Sequence, residues 1–90
     1  MRKIILDTEK MRSQSQLHQY LQEALELPAH YGANLDALYD CLTELAEPTE
    51  LTIQSKVAEA AYLGRYGAML LQVLQDAAAA NRNLQVTVQP

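Results

Sequence analysis

Apolar and polar residues alternate near both ends of this chain and step by three and four through its middle, so the pattern changes repeatedly between strand and helix. Lys3 to Asp7 carries Ile4, Ile5 and Leu6, a short β-branched and apolar run that predicts a first strand. From Ser13 to Glu26, Leu17, Tyr20 or Leu21, Ala24 and Leu25 fall at helical spacing. Ser13 or Ser15 can cap that helix, and Pro28 sets its end because the residue before a proline avoids the helical region. Pro28 to Gly32 reads as a loop. Asn34 is a good N-cap for a second helix, in which Leu35, Leu38, Leu42 and Leu45 form one apolar stripe that should stop before Pro48. Glu50 to Gln54 alternates through Leu51 and Ile53 as a second strand. Lys56 to Leu63 reads as a short helix, broken at a connector from Gly64 to Gly67. A stronger helix is expected from about Ala68 to Ala80, with Met69, Leu70, Val73, Leu74 and Ala77 on its buried side. Asn81 to Asn83 ends it, and Leu84 to Gln89 alternates through Val86 and Val88 as a last strand.

Strands separated by helices imply crossover connections and a parallel sheet. The expected fold is α/β: a small single domain over residues 1–90, with a three-stranded parallel sheet packed with about four helices. The composition fits that size, since 49% of the 90 residues are apolar and 20% charged. With no Trp or Phe, the core must be built from Leu, Val, Ile, Ala and Met. Cys41 is the only cysteine, which rules out an intrachain disulfide and suits a reducing compartment. Ile4-Ile5-Leu6 is too short for a signal-peptide core and no run approaches membrane-spanning length, so a cytoplasmic location away from membranes is expected.

Charge changes the picture more. The net charge is -4, and between Ser13 and Ser55 there is no Lys or Arg, whereas Glu23, Glu26, Asp36, Asp40, Glu44, Glu47 and Glu50 all lie there. An acidic middle argues against DNA or RNA as partner, because phosphates require cations. Asp36, Asp40 and Glu44 are spaced i, i+4, i+8 and so form a row on the side of the second helix away from its leucines. Such like-charge neighbours destabilise a helix by a few tenths of a kcal/mol per pair, and the helix dipole helps only Asp36. Tyr39 beside the row is the kind of amphipathic residue enriched in interfaces, and His30 and Tyr31 extend the same surface. On these residues alone the row is equally well a solvated acidic face or a docking site for a basic partner.

The segment from Leu27 to Thr43, with Pro28, His30-Tyr31-Gly32 and then Asn34-Leu35-Asp36-Ala37-Leu38-Tyr39-Asp40, resembles the signature of the barstar family, intracellular inhibitors of barnase-type ribonucleases. Weaker similarity extends over the chain, through Arg12-Ser13, Leu17-His18-Gln19 and Leu71-Gln72-Val73. The resemblance implies a monomeric inhibitor that blocks the active site of a basic ribonuclease, or of a related toxin, one to one. It implies that Asp40 occupies the place of the substrate phosphate and that Asp36 is the second acidic contact. Asn34, Leu35 and Thr43 are implied around them, Tyr31 and Gly32 from the loop, and Asp76 as a peripheral acid on the last helix. The chain departs from the family pattern at His30, usually tyrosine, at Tyr39, usually tryptophan, at Glu44-Leu45, usually glycine and tryptophan, and at Ala80, where a second acid can occur.

Other chemistry fits less well. Cys41 lies mid-helix beside Asp40, with no helix N-terminus to lower its pKa, so a half-buried free thiol is expected rather than a nucleophile paired with His18 or His30. His30, Asp36 and Asp40 match no metal-ligand spacing. His18 is expected as a satisfied surface or boundary histidine, and His30 as a loop contact that could titrate near neutral pH. Neither a cofactor, nor a metal, nor a catalytic residue is expected. The remaining alternative is an acidic interaction module whose basic partner is not a nuclease.

Overall fold

A computed structural model describes all 90 residues. Strand β1 spans Arg2–Ile5, helix α1 Gln14–Ala24, helix α2 Leu35–Thr43, strand β2 Thr49–Gln54, helix α3 Arg65–Ala80 and strand β3 Leu84–Gln89, with 3-10 turns at Thr8–Lys10 and Ser55–Ala58. The three strands form one parallel sheet in the order β1-β2-β3, as the alternation of strands and helices requires. There are three α-helices rather than about four. The segment read as a fourth, Lys56 to Leu63, makes only the 3-10 turn and further tight turns before α3.

Registers Ile4↔Leu51↔Val86 and Ile53↔Val88 put one row of apolar side chains on one face of the sheet. That row packs with Leu17, Leu21 and Leu25 of α1, Leu38 and Leu42 of α2, and Leu70, Leu74 and Ala77 of α3 in a single core. The alternate positions, Lys3, Ile5, Gln85 and Thr87, are exposed, so the helices cover one face only. Parallel sheets are usually covered on both faces, and this one meets water with an outer surface that is polar apart from Ile5.

Helix ends are set by local chemistry. Ser13 is the N-cap of α1, its Oγ accepting from the Gln16 N–H at 3.1 Å. The helix stops before Pro28 is reached: Glu26 takes a left-handed φ of 54°, and the amides of Glu26 and Leu27 return to the carbonyls of Glu23 and Gln22. That is a Schellman closure, made here without the usual glycine.

Helix α3 begins at Arg65, earlier than the glycine-bounded break suggested. Gly64, at φ 55°, stands just before it. Gly67 lies inside the first turn, where α3 crosses the 3-10 turn at Ser55–Ala58. A Cβ there would collide with the Val57 carbonyl and come within 2.9 Å of the Ala58 Cα, so the residue is required by close approach and not by a break. Met69, expected in the core, is 49% exposed; Leu70, Leu74 and Ala77 hold the buried stripe and Val73 is half-buried.

At one end of the molecule, charges close on themselves. Arg12 donates to Glu9 Oε1 at 2.7 Å and lies over the Tyr62 ring. Lys56 lies over the same ring and 3.9 Å from Glu9, while the Tyr62 hydroxyl donates to Glu9 Oε2. The hydrogen bond from Tyr62, then that from Arg12, hold the Glu9 carboxyl below its usual pKa. No helix is long and apolar enough to cross a membrane.

Candidate partner-binding face

The loop after α1 and the helix it feeds are built by a few hydrogen bonds. The Tyr31 amide donates to Pro28 O at 2.9 Å, closing a turn around Ala29 and His30. Ala33 takes a left-handed φ of 54°, a conformation that costs an alanine roughly 1 kcal/mol or more. Strain of this kind persists where surrounding structure enforces it. Here the enforcing residue is Asn34, whose Nδ2 donates to Gly32 O at 3.2 Å while its Oδ1 accepts from the Ala37 amide at 2.8 Å. One side chain therefore caps α2 and fixes the loop ahead of it. A Cβ on Gly32 would come within 3.3 Å of both Ala37 Cβ and Asn34 Nδ2, so the loop lies close against the helix start.

The far end of α2 is held by a different element. Asn81, buried just after α3, donates from Nδ2 to the carbonyls of Leu42 at 2.9 Å and Leu45 at 3.0 Å, and Asn83 Nδ2 adds a bond to Leu45 O. Leu42 O belongs to the last turn of α2, where its bond from the Leu45 amide is long at 3.4 Å, and Leu45 O lies just past the C-cap. Sequence reasoning read Asn81 only as a helix terminator. Its second role depends on a helix some forty residues earlier and has no local signature.

With both ends fixed and Leu38 and Leu42 buried, α2 presents its other side to solvent. Asp36, Asp40 and Glu44 are all exposed, and none forms an ion pair with a basic group of the chain. Glu44 sits at the C-cap, one residue beyond the helix, so the third acid of the row stands at the negative end of the dipole. Tyr39 is 36% exposed beside the row. Thr43 is half-buried, its hydroxyl donating to the Asp40 carbonyl at 3.0 Å, and Leu35 is half-buried at the helix start. His30 and Gly32 are exposed in the loop. The structure thus brings His30, Gly32, Asn34, Asp36, Tyr39, Asp40 and Glu44 onto one continuous loop-and-helix segment. Asp76 is exposed on α3, which packs against α2, and accepts from Gln72 Nε2 at 2.9 Å.

Tyr31 behaves differently. Only 9% exposed, it directs its hydroxyl inward to His18 Nδ1 at 2.6 Å. His18 is itself 3% exposed, which corrects the expectation of a surface or boundary position, and its Nε2 lies 2.7 Å from the Tyr66 hydroxyl. Its spacing of three and seven from Leu21 and Leu25 is the signal that places it on the buried side of α1. Burial raises the pKa of Tyr31 strongly and that of Tyr66 less, and lowers that of His18.

Cys41 is half-buried, and burial, followed by Glu44 and Asp40, pushes its thiol pKa up. That is opposite to what a thiolate nucleophile needs. No group of three or more His, Cys, Asp or Glu side chains lies close enough to hold a metal ion.

Comparison with known proteins adds the decisive observation: the family description Barstar (barnase inhibitor) matches residues 1–89. The chain belongs to the barstar family. It is also 40% identical over 78 residues to a Bacillus subtilis (strain 168) protein named "Putative ribonuclease inhibitor YrdF", covering 86% of each chain. Membership of the barstar family bears out the resemblance drawn from the sequence. Within that family, the acidic face of α2 is the surface to be explained.

Proposed function

We propose that this chain inhibits a basic ribonuclease by binding it one to one and covering its active site with α2 and the preceding loop. The observation that carries the reading is the unpaired row of Asp36, Asp40 and Glu44 on a helix whose opposite side is locked into the core. Membership of a family described as barnase inhibitors, and a relative named as a ribonuclease inhibitor, support it. A ribonuclease active site must hold phosphate, so it offers cations. A carboxylate can accept paired hydrogen bonds from arginine and so stand where phosphate would. Asp40, near the middle of the row, takes that role, with Asp36 as the second acid and Asn34, Leu35, Tyr39 and Thr43 around them. His30 and Gly32 meet the rim from the loop, Glu44 extends the acidic row, and Asp76 adds peripheral negative charge. Tyr31 contributes by shaping the loop, since its own side chain is buried.

In this reading the protein acts by occupying the enzyme's active site, as membership of a family described as barnase inhibitors supports. The cognate enzyme is of barnase type or a related basic toxin, the inhibitor works as a monomer, and the site of action is the cytoplasm. Titration of the protein into a barnase-type ribonuclease, followed by RNA cleavage at low and high salt, tests this. A sharp one-to-one end point that weakens with salt is expected, because exposed charges are screened. Undiminished cleavage at molar excess would remove the active-site reading.

A further inference from the structure

One imidazole joins three segments of this fold. His18 belongs to α1, Tyr31 to the loop that leads into α2, and Tyr66 to the first turn of α3. The two hydroxyls lie 2.6 Å and 2.7 Å from the two ring nitrogens, and both phenol rings pack at an angle on the imidazole with centroids 5.7 Å and 6.0 Å away. We propose that His18 is the positioning residue of the recognition loop: bridging Tyr31 to Tyr66, it ties the loop ahead of α2 to the start of α3 and holds it in the shape that meets the partner. The identity of that partner rests on the ribonuclease-inhibitor reading; the positioning itself does not.

The bridge calls for a neutral ring. Neutral imidazole has one N–H and one bare nitrogen, so one phenol donates to the ring and the other accepts from it. On protonation both nitrogens become donors, and the phenol that had been donating must turn its O–H elsewhere. His18 is the one hydrogen-bond partner of each hydroxyl, so whichever phenol had been donating loses its acceptor. The groups that face the bridge are Tyr31 from the loop, Tyr66 from α3 and, beyond Tyr31, Cys41 from α2. None is a carboxylate that could balance an imidazolium. Burial accordingly lowers the pKa of His18 below its ordinary value of 6.5. A folded state that takes up the proton less readily than the unfolded chain is fully supported by the bridge above about pH 6.5 and loses that support as pH falls below it.

Backbone hydrogen exchange on the full chain tests the proposal, corrected for intrinsic rates and compared near about pH 7.5 and about pH 5.5. The reporters are the amides of Tyr31 and Ala37, which close the loop and cap α2, set against Leu51 and Ile53 in central strand β2. Tyr66→Phe removes one hydroxyl at a half-buried position and should speed exchange at Tyr31 and Ala37 about fivefold, leaving β2 unchanged. The wild type should show the same loosening at the lower pH, and His18→Gln should abolish that pH dependence. Inhibition of a barnase-type ribonuclease by Tyr66→Phe should weaken by a similar factor. Equal acceleration at β2 and the loop, or none at either, would overturn the proposal, as would a loosened loop with unchanged binding. A wild type that inhibits no ribonuclease defeats the functional reading, and the exchange pattern alone then decides the bridge.

Discussion

Two charged regions of this molecule use the same residue types in opposite ways. Around Glu9 every charge finds a partner: Arg12 and Lys56 approach its carboxylate, and both lie over the Tyr62 ring whose hydroxyl donates to it. Along α2 three carboxylates face solvent with no cation of the chain beside them. The first arrangement ties the segment before α1 to the turns before α3, so its charges are used up within the fold. The second gives the fold nothing, since adjacent like charges on a helix repel. Charge left unpaired at a slight cost to its own helix is available to a partner, and that contrast supports the proposal that α2 is the partner-binding face.

The largest expected effect separates the two regions directly. Asp40→Ala should weaken ribonuclease binding by about 2–5 kcal/mol, the range for truncating one member of a desolvated charge pair, to which barnase–barstar complexes themselves contributed. Glu59→Ala, an exposed acid outside both regions, should leave binding unchanged in the same inhibition titration. Comparable losses from the two substitutions would break the comparison. Next comes the frame of the helix. Asn81→Ala should lower stability by about 1 kcal/mol or more in chemical denaturation, because it removes a buried side chain that donates to both Leu42 O and Leu45 O and leaves them only the Leu45 amide and Asn83. Asn34→Ala should cost about 1 kcal/mol as a lost N-cap and should also weaken binding, since the same side chain fixes Gly32. A stability loss with unaltered binding would show that the loop keeps its shape without Asn34.

Smaller effects sharpen the contrast. Glu44→Gln should raise stability slightly, by a few tenths of a kcal/mol read from the thermal midpoint, because it removes repulsion from Asp40 and a negative charge at the helix C-terminus. It should at the same time weaken binding to a basic enzyme. Glu9→Gln should have the reverse pattern, a slight loss of stability with binding intact. The Glu9 carboxyl is held below 4.5, so its contribution is present above about pH 4.5 and disappears as pH falls through the lowered value. Thermal midpoints measured from neutral to acid pH should therefore fall less steeply for Glu9→Gln than for the wild type.

Much of this could be read along the chain, and the exceptions share one cause. The three strands, the helices begun by Ser13 and Asn34, and the acidic row follow from periodicity and capping, which involve residues three or four apart. The same locality made the Gly64–Gly67 segment look like a break, although Gly67 is there because α3 passes against the Val57 carbonyl. It placed Met69 inward because the pattern allowed it, whereas the packing of α3 against α2, β3 and the 3-10 turn at Ser55–Ala58 turns it out to solvent.

By itself, then, the sequence determined the kind and order of elements, the parallel connection of the strands, the family through Asn34 to Asp40, and the surplus of acid on α2. Only the tertiary structure decided that β2 is the central strand, that the sheet keeps one face bare, that Asn81 holds the end of α2, and that His18 is buried between Tyr31 and Tyr66. The physical reason is distance along the chain. Caps and amphipathic stripes are settled between near neighbours, but a polar side chain can be buried only where partners 13, 39 or 48 residues away arrive to satisfy it.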